Sequence, residues 1–119
     1  MTHAVEILDD DAAFRESLAF LLEAHGFVVT THADPSTFMQ GVADRAPDCL
    51  VCDIRMPGMS GVEVARALRA EGLNTRVILI TGHADPALLE RAAEAGATLV
   101  LEKPFPPQQL IDALNRLLG

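Results

Sequence analysis

Five short apolar stretches alternate with five helical ones along this chain, and no other feature restricts its fold as much. The stretches run about Ala4–Leu8, Phe27–Thr31, Asp48–Cys52, Arg76–Ile80 and Thr98–Leu101. Between them, apolar residues recur at three- and four-residue intervals, the spacing of one helix face. Phe14, Leu18, Leu21 and Leu22 form such a face in the first helix, about Asp11–His25, and Leu110, Ile111, Leu114, Leu117 and Leu118 form one in the last. Helix two turns Phe38, Met39 and Val42 inward, and helix three turns Val64, Ala65 and Leu68. Strands alternating with helices pair in parallel through right-handed crossovers, with helices covering both faces of the sheet. Asp48–Cys52 is apolar nearly throughout, as a strand buried on both faces should be. The punctuation agrees. Gly26, Gly72 and Gly96 stand where helices one, three and four should stop. Asp34-Pro35 and Asp85-Pro86 each read as an N-cap followed by proline at the first helical position. One α/β domain spanning residues 1–119 is expected, long enough to bury a substantial core.

Composition removes several classes of function. The net charge is −8 and the basic residues are scattered, so no patch exists to neutralise nucleic-acid phosphates. No apolar run approaches the roughly 20 residues needed to span a bilayer. The start, Met1-Thr2-His3-Ala4-Val5-Glu6, lacks the basic and apolar regions of a signal peptide, so a cytoplasmic location without membrane partners is expected. Cys49 and Cys52 have C-x-x-C spacing but lie within a strand. Three residues of strand separate Cα atoms by roughly 10 Å and send the side chains to opposite faces. A disulfide needs Cα atoms closer than about 7 Å, so these thiols are expected to pack in the core. His3, His25 and His32 have no ligand spacing and read as surface or packing residues.

The polar residues at the strand ends carry the chemistry. Asp9-Asp10 follow the first strand, Asp53 follows the third, Thr81 the fourth, and Lys103 stands shortly after the fifth. Ligands of open parallel sheets bind at the carboxyl ends of the strands, so the fold should gather these residues into one pocket. Converging carboxylates repel one another and raise at least one pKa unless a cation intervenes. Mg²⁺ suits such a site, because it takes one or two carboxylates together with phosphate oxygens, and Mn²⁺ shares the oxygen preference. Alone, the Asp9-Asp10-Asp11 run would serve equally well as a helix cap. Its coincidence with Asp53 and Lys103 at equivalent strand ends favours a pocket. Asp53 is the candidate nucleophile, since a carboxylate can attack phosphorus to give an acyl phosphate. Lys103, the only lysine in the chain, offers a compact positive charge, and Thr81 offers a hydroxyl donor. Arg55 and His83 flank the same pocket.

The set Asp9-Asp10, Asp53, Thr81 and Lys103-Pro104 resembles the receiver domain of bacterial two-component response regulators, over essentially the whole chain. Arg55-Met56-Pro57-Gly58-Met59-Ser60-Gly61-Val62-Glu63, Thr81-Gly82-His83 and Glu102-Lys103-Pro104-Phe105 are similar to FixJ-type receivers. The resemblance implies a flavodoxin-like, CheY-like (βα)5 fold, doubly wound around a five-stranded parallel sheet of order 2-1-3-4-5. It implies phosphotransfer from the phosphohistidine of a sensor histidine kinase to Asp53, without turnover catalysis beyond self-phosphorylation and autodephosphorylation. Mg²⁺ would be held by Asp10 and Asp53, by Asp9 directly or through water, and by the Arg55 backbone carbonyl. The Lys103-Pro104 bond would be cis.

The family's switch draws the threonine hydroxyl inward and rotates an aromatic residue of strand five. Val100 occupies that position here. The switch is therefore expected to act through the loop after Thr81 and the start of helix four, with helix four, strand five and helix five, including Phe105, as the partner surface. A phosphorylation-dependent homodimer is compatible with the resemblance. FixJ-type relatives carry a C-terminal DNA-binding output domain that these residues do not encode, so a stand-alone receiver and a regulatory fragment both fit.

Three competing readings are weaker. A flavodoxin-like nucleotide binder needs a phosphate-cradling loop where this chain has Asp9-Asp10-Asp11. A phosphatase of the haloacid-dehalogenase type needs an acid at position 55, which is Arg. A degenerate receiver, acting as a phosphorylation-independent interaction module, would not need the complete set of pocket residues.

Overall fold

The structure is a computed structural model and describes residues 2–119. In chain order the elements are β1 (Ala4–Leu8), α1 (Ala12–Ala24), β2 (Val28–His32), α2 (Pro35–Gly41), β3 (Cys49–Asp53), α3 (Gly61–Ala70), β4 (Arg76–Thr81), α4 (Pro86–Glu94), β5 (Leu99–Glu102) and α5 (Pro107–Leu118). All strand pairs are parallel, and the sheet order is β2-β1-β3-β4-β5. The expected doubly wound architecture is therefore present.

The sheet separates two apolar layers, and alternation along each strand assigns residues to them. Leu8, Leu50, Cys52, Val77 and Leu79 join residues of α2, α3 and α4 on one side, including Phe38, Val64, Leu68 and Leu88. Val5, Ile7, Cys49, Val51, Ile78 and Ile80 join residues of α1 and α5 on the other, including Leu18, Leu22, Leu110 and Leu114. Cys49 and Cys52 thus face opposite layers as free, buried thiols, and burial pushes the Cys49 thiol up to about 12. Met39 is only half-buried.

Local chemistry fixes the helix starts. Asp11, Asp34 and Asp85 accept the backbone N–H groups of Phe14, Thr37 and Leu88 at 3.2, 3.1 and 2.8 Å. Ser60 and Glu63 form a reciprocal capping box at α3.

Four strands have boundaries later than the sequence pattern suggests. β2 begins at Val28 because Phe27 closes α1 instead, its N–H donating to Leu22 O at 3.1 Å beyond Gly26, whose φ is +90°. β3 starts at Cys49 and includes Asp53, whose backbone pairs opposite Ile80. β4 likewise includes Thr81, and β5 runs Leu99–Glu102, with Thr81 opposite Glu102. A polar side chain ends the apolar pattern without ending the backbone ladder.

Candidate functional site

Because the sheet is parallel, the ends of β1, β3, β4 and β5 lie side by side at one edge. Asp9 emerges from β1 fully buried, with its backbone N–H donating to His32 O at 3.2 Å. Its Oδ1 accepts the Asp11 N–H at 2.9 Å, so the turn that starts α1 also orients this carboxylate. Its Oδ2 is buried and has no hydrogen-bond partner among the described residues. Lys103 Nζ lies 3.7 Å from that oxygen. That separation is an ion-pair contact but too long for a hydrogen bond.

One carboxylate oxygen from each of Asp9, Asp10 and Asp53 lies within 4.8 Å of the other two. Asp9 is buried, Asp53 half-buried and Asp10 exposed, so the cluster opens on one side to solvent. Desolvation is the main cause that raises the carboxyl of Asp9 above its ordinary value, opposed by the Asp11 N–H and by Lys103. Desolvation followed by the Asp9 charge raises Asp53, with Lys103 opposing. A buried oxygen that accepts no hydrogen bond among the described residues, beside two more carboxylates, is a donor set for a hard divalent cation of the Mg²⁺ type, so these residues fit the expected metal.

Thr81 ends β4 fully buried. Its hydroxyl donates to His83 O and accepts the His83 N–H, both at 3.2 Å, so it is turned toward the β4–α4 loop. The Thr81 carbonyl accepts the Lys103 N–H at 2.8 Å, which brings the ends of β4 and β5 together. The Lys103-Pro104 bond is cis, as the sequence resemblance implied. Arg55 and His83 are exposed at the rim of this edge. Val100 is half-buried against the layer that includes α3 and α4.

Several contributors are not legible as site residues in the sequence. Gly61 begins α3 directly beneath Asp53, and a Cβ there would lie 2.7 Å from Asp53 O and 3.0 Å from Ile54 Cα. Its signal was glycine at the first turn of a well-capped helix, where a better helix former is normal. Arg15 donates to Asp9 O at 2.6 Å. The Phe14 ring lies under Lys103, with Nζ 4.1 Å from its centroid. His32 packs edge-on against Phe38, as a packing residue would, and also pairs with Glu6 across β1 and β2.

Comparison with known proteins defines the class. Residues 5–115 match the response regulator receiver domain family. The chain is 44% identical to the transcriptional regulatory protein FixJ of Azorhizobium caulinodans, over 97% of this chain and 54% of that protein. It is 41% identical to FixJ of Rhizobium meliloti, over 96% of this chain and 56% of that one. Among solved structures, FixJ-N superposes with a TM-score of 0.88 at 41% identity, covering 97% of this chain and 92% of its own. The Vibrio cholerae chemotaxis protein CheY4 superposes with a TM-score of 0.89 at 27% identity, covering 98% and 99%. The chain belongs to the receiver domain family of two-component response regulators. It spans about half the length of the FixJ proteins it matches.

Proposed function

We propose that Asp53 accepts a phosphoryl group from the phosphohistidine of a sensor histidine kinase. The observation that supports this reading most directly is the convergence of Asp9, Asp10 and Asp53 within 4.8 Å, beside Lys103 and around a buried oxygen that accepts no hydrogen bond among the described residues. In the transfer, an Asp53 carboxylate oxygen forms the new O–P bond as the N–P bond of the phosphohistidine breaks. The leaving imidazole nitrogen keeps the electron pair and takes a proton from solvent. Asp9, Asp10, Asp53 and the Arg55 backbone carbonyl would hold Mg²⁺, or Mn²⁺ in its place. When bound, the ion supplies positive charge for the clustered carboxylates and the phosphoryl oxygens. Lys103 brings its ammonium to one phosphoryl oxygen. Thr81 releases His83 and donates its hydroxyl to another.

Residues 1–119 act as a single receiver domain, taking up and losing one phosphoryl group rather than turning over substrate. The output surface is α4, β5 and α5. It works on a C-terminal DNA-binding domain of the kind FixJ-type relatives carry, on a separate partner, or on a second copy. No helix among the described residues is long and apolar enough to cross a membrane. A histidine kinase partner implies a cytoplasmic setting.

The deciding experiment is intact-mass measurement after incubation with acetyl phosphate and Mg²⁺. The wild-type chain should gain one phosphoryl mass, and the Asp53→Ala protein should gain none. No gain in the wild type would favour a phosphorylation-independent interaction module.

A further inference from the structure

Lys103 reaches the carboxylate cluster on a flexible four-carbon stem, so its presence near the phosphoryl position has to be enforced. Its backbone is fixed by the N–H bond to Thr81 O. Its ammonium is held by two things: Asp9 Oδ2 at 3.7 Å on one side, and the face of Phe14 at 4.1 Å on the other. A cation within about 6 Å of an aromatic centroid is attracted by the ring quadrupole. We propose that Phe14 is a positioning residue for Lys103, its ring keeping the ammonium aimed at the carboxylate cluster. This rests on the reading of Lys103 as the phosphoryl-oxygen partner.

Two features of the fold make the arrangement specific. Asp11 links ring and carboxylate through a single turn: its N–H donates to Asp9 Oδ1 at 2.9 Å, and its Oδ1 accepts the Phe14 N–H at 3.2 Å. The turn that orients Asp9 therefore also sets the ring that faces it. In addition, Phe14 and Lys103 border an apolar groove of about 350 Å³ that continues past Leu18, Leu21 and Phe105. With the ring removed, the lysine stem gains an alternative resting place along that groove, away from Asp53. An aliphatic residue of similar bulk at position 14 fills space but attracts no cation.

Lys103 is the only lysine, so a protein labelled with ¹³C,¹⁵N-lysine reports on this one side chain. Wild-type, Phe14→Leu and Phe14→Trp proteins are compared by NMR without divalent ions, and by their rate of mass gain with acetyl phosphate and Mg²⁺. The expected result is an upfield ring-current shift of the Lys103 ε-methylene in the wild type. Phe14→Leu abolishes that shift and Phe14→Trp retains it. The corresponding slowing of phosphorylation in Phe14→Leu is about two- to fivefold, restored by Trp. A lysine spectrum indifferent to Phe14→Leu overturns the proposal, as does an equal rate loss in the Leu and Trp proteins. If the wild type gains no phosphoryl mass, the phosphoacceptor reading fails, and the NMR comparison alone decides whether the ring positions the ammonium.

Discussion

Asp53→Asn is expected to make the metal-free protein more stable. Folding brings carboxylate oxygens of Asp9, Asp10 and Asp53 within 4.8 Å of one another, whereas unfolding disperses them. At about that separation, one pair of unit charges repels by roughly 3–4 kcal/mol in an effective dielectric near 20. Lys103 offsets part of this, and Asp10 is exposed and screened by water. Removing the Asp53 charge should therefore return about 1–2 kcal/mol. The pH dependence follows in sign. Burial raises the carboxyls of Asp9 and Asp53 above 3.8, so the folded protein binds more protons than the unfolded chain between that value and the raised ones. Stability then falls as pH climbs through this window, and the full penalty is present above it. In the Asp53→Asn protein only the Asp9 share of that slope remains.

Urea unfolding in EDTA measures both effects. With m of about 2 kcal/mol/M, the middle of the usual range, the midpoint should rise by roughly 0.5–1 M at neutral pH. Adding Mg²⁺ should raise the wild-type midpoint by mass action, and the Asp53→Asn midpoint by much less. A midpoint that falls on substitution, or an equal Mg²⁺ response in the two proteins, would refute the reasoning.

Gly61→Ala should lower stability by about 1–3 kcal/mol, because its Cβ would press on backbone atoms of Asp53 and Ile54 that cannot move aside. The same urea titration checks this, and a neutral or stabilising result would remove the close approach as an explanation for the glycine. Beryllofluoride, which mimics the acyl phosphate, should shift amide resonances most strongly over residues 82–85, because Thr81 must leave both its bonds to His83. Unchanged spectra over residues 81–107 would exclude a switch through this loop.

The architecture and the carboxylate cluster were legible because both follow from backbone topology. Parallel strands of similar length end at one edge, so Asp9, Asp53, Thr81 and Lys103 could be gathered from strand ends alone. Features that depend on side-chain geometry between elements stayed hidden. Phe14 falls on the apolar stripe of α1, and nothing in that pattern signals that its face receives an ammonium. The pairing of Glu6 with His32 needs the β1–β2 register, in which Glu6 lies opposite Thr30 and Leu8 opposite His32. The strand boundaries shifted because Asp53, Thr81 and Glu102 look like terminators by polarity while their backbones continue the ladder.

The position of Val100 bears on how a change at Asp53 would leave the pocket. It pairs opposite Leu79 and already packs, half-buried, against the layer formed with α3 and α4. A β-branched side chain has restricted χ1 freedom, and valine is too short to sweep between solvent and the space behind Thr81. The remaining mechanical connection is the loop itself. Thr81 grips His83 through both backbone polar groups, and two residues later Asp85 caps α4 by accepting the Leu88 N–H at 2.8 Å. So short a segment leaves little slack between the hydroxyl and the cap. Movement of Thr81 toward a phosphoryl oxygen would release His83 and carry the strain to the first turn of α4. On the reading of Asp53 as phosphoacceptor, the path to the α4–β5 surface would run along the backbone from Thr81 to Asp85, with Val100 as a fixed wall beside it.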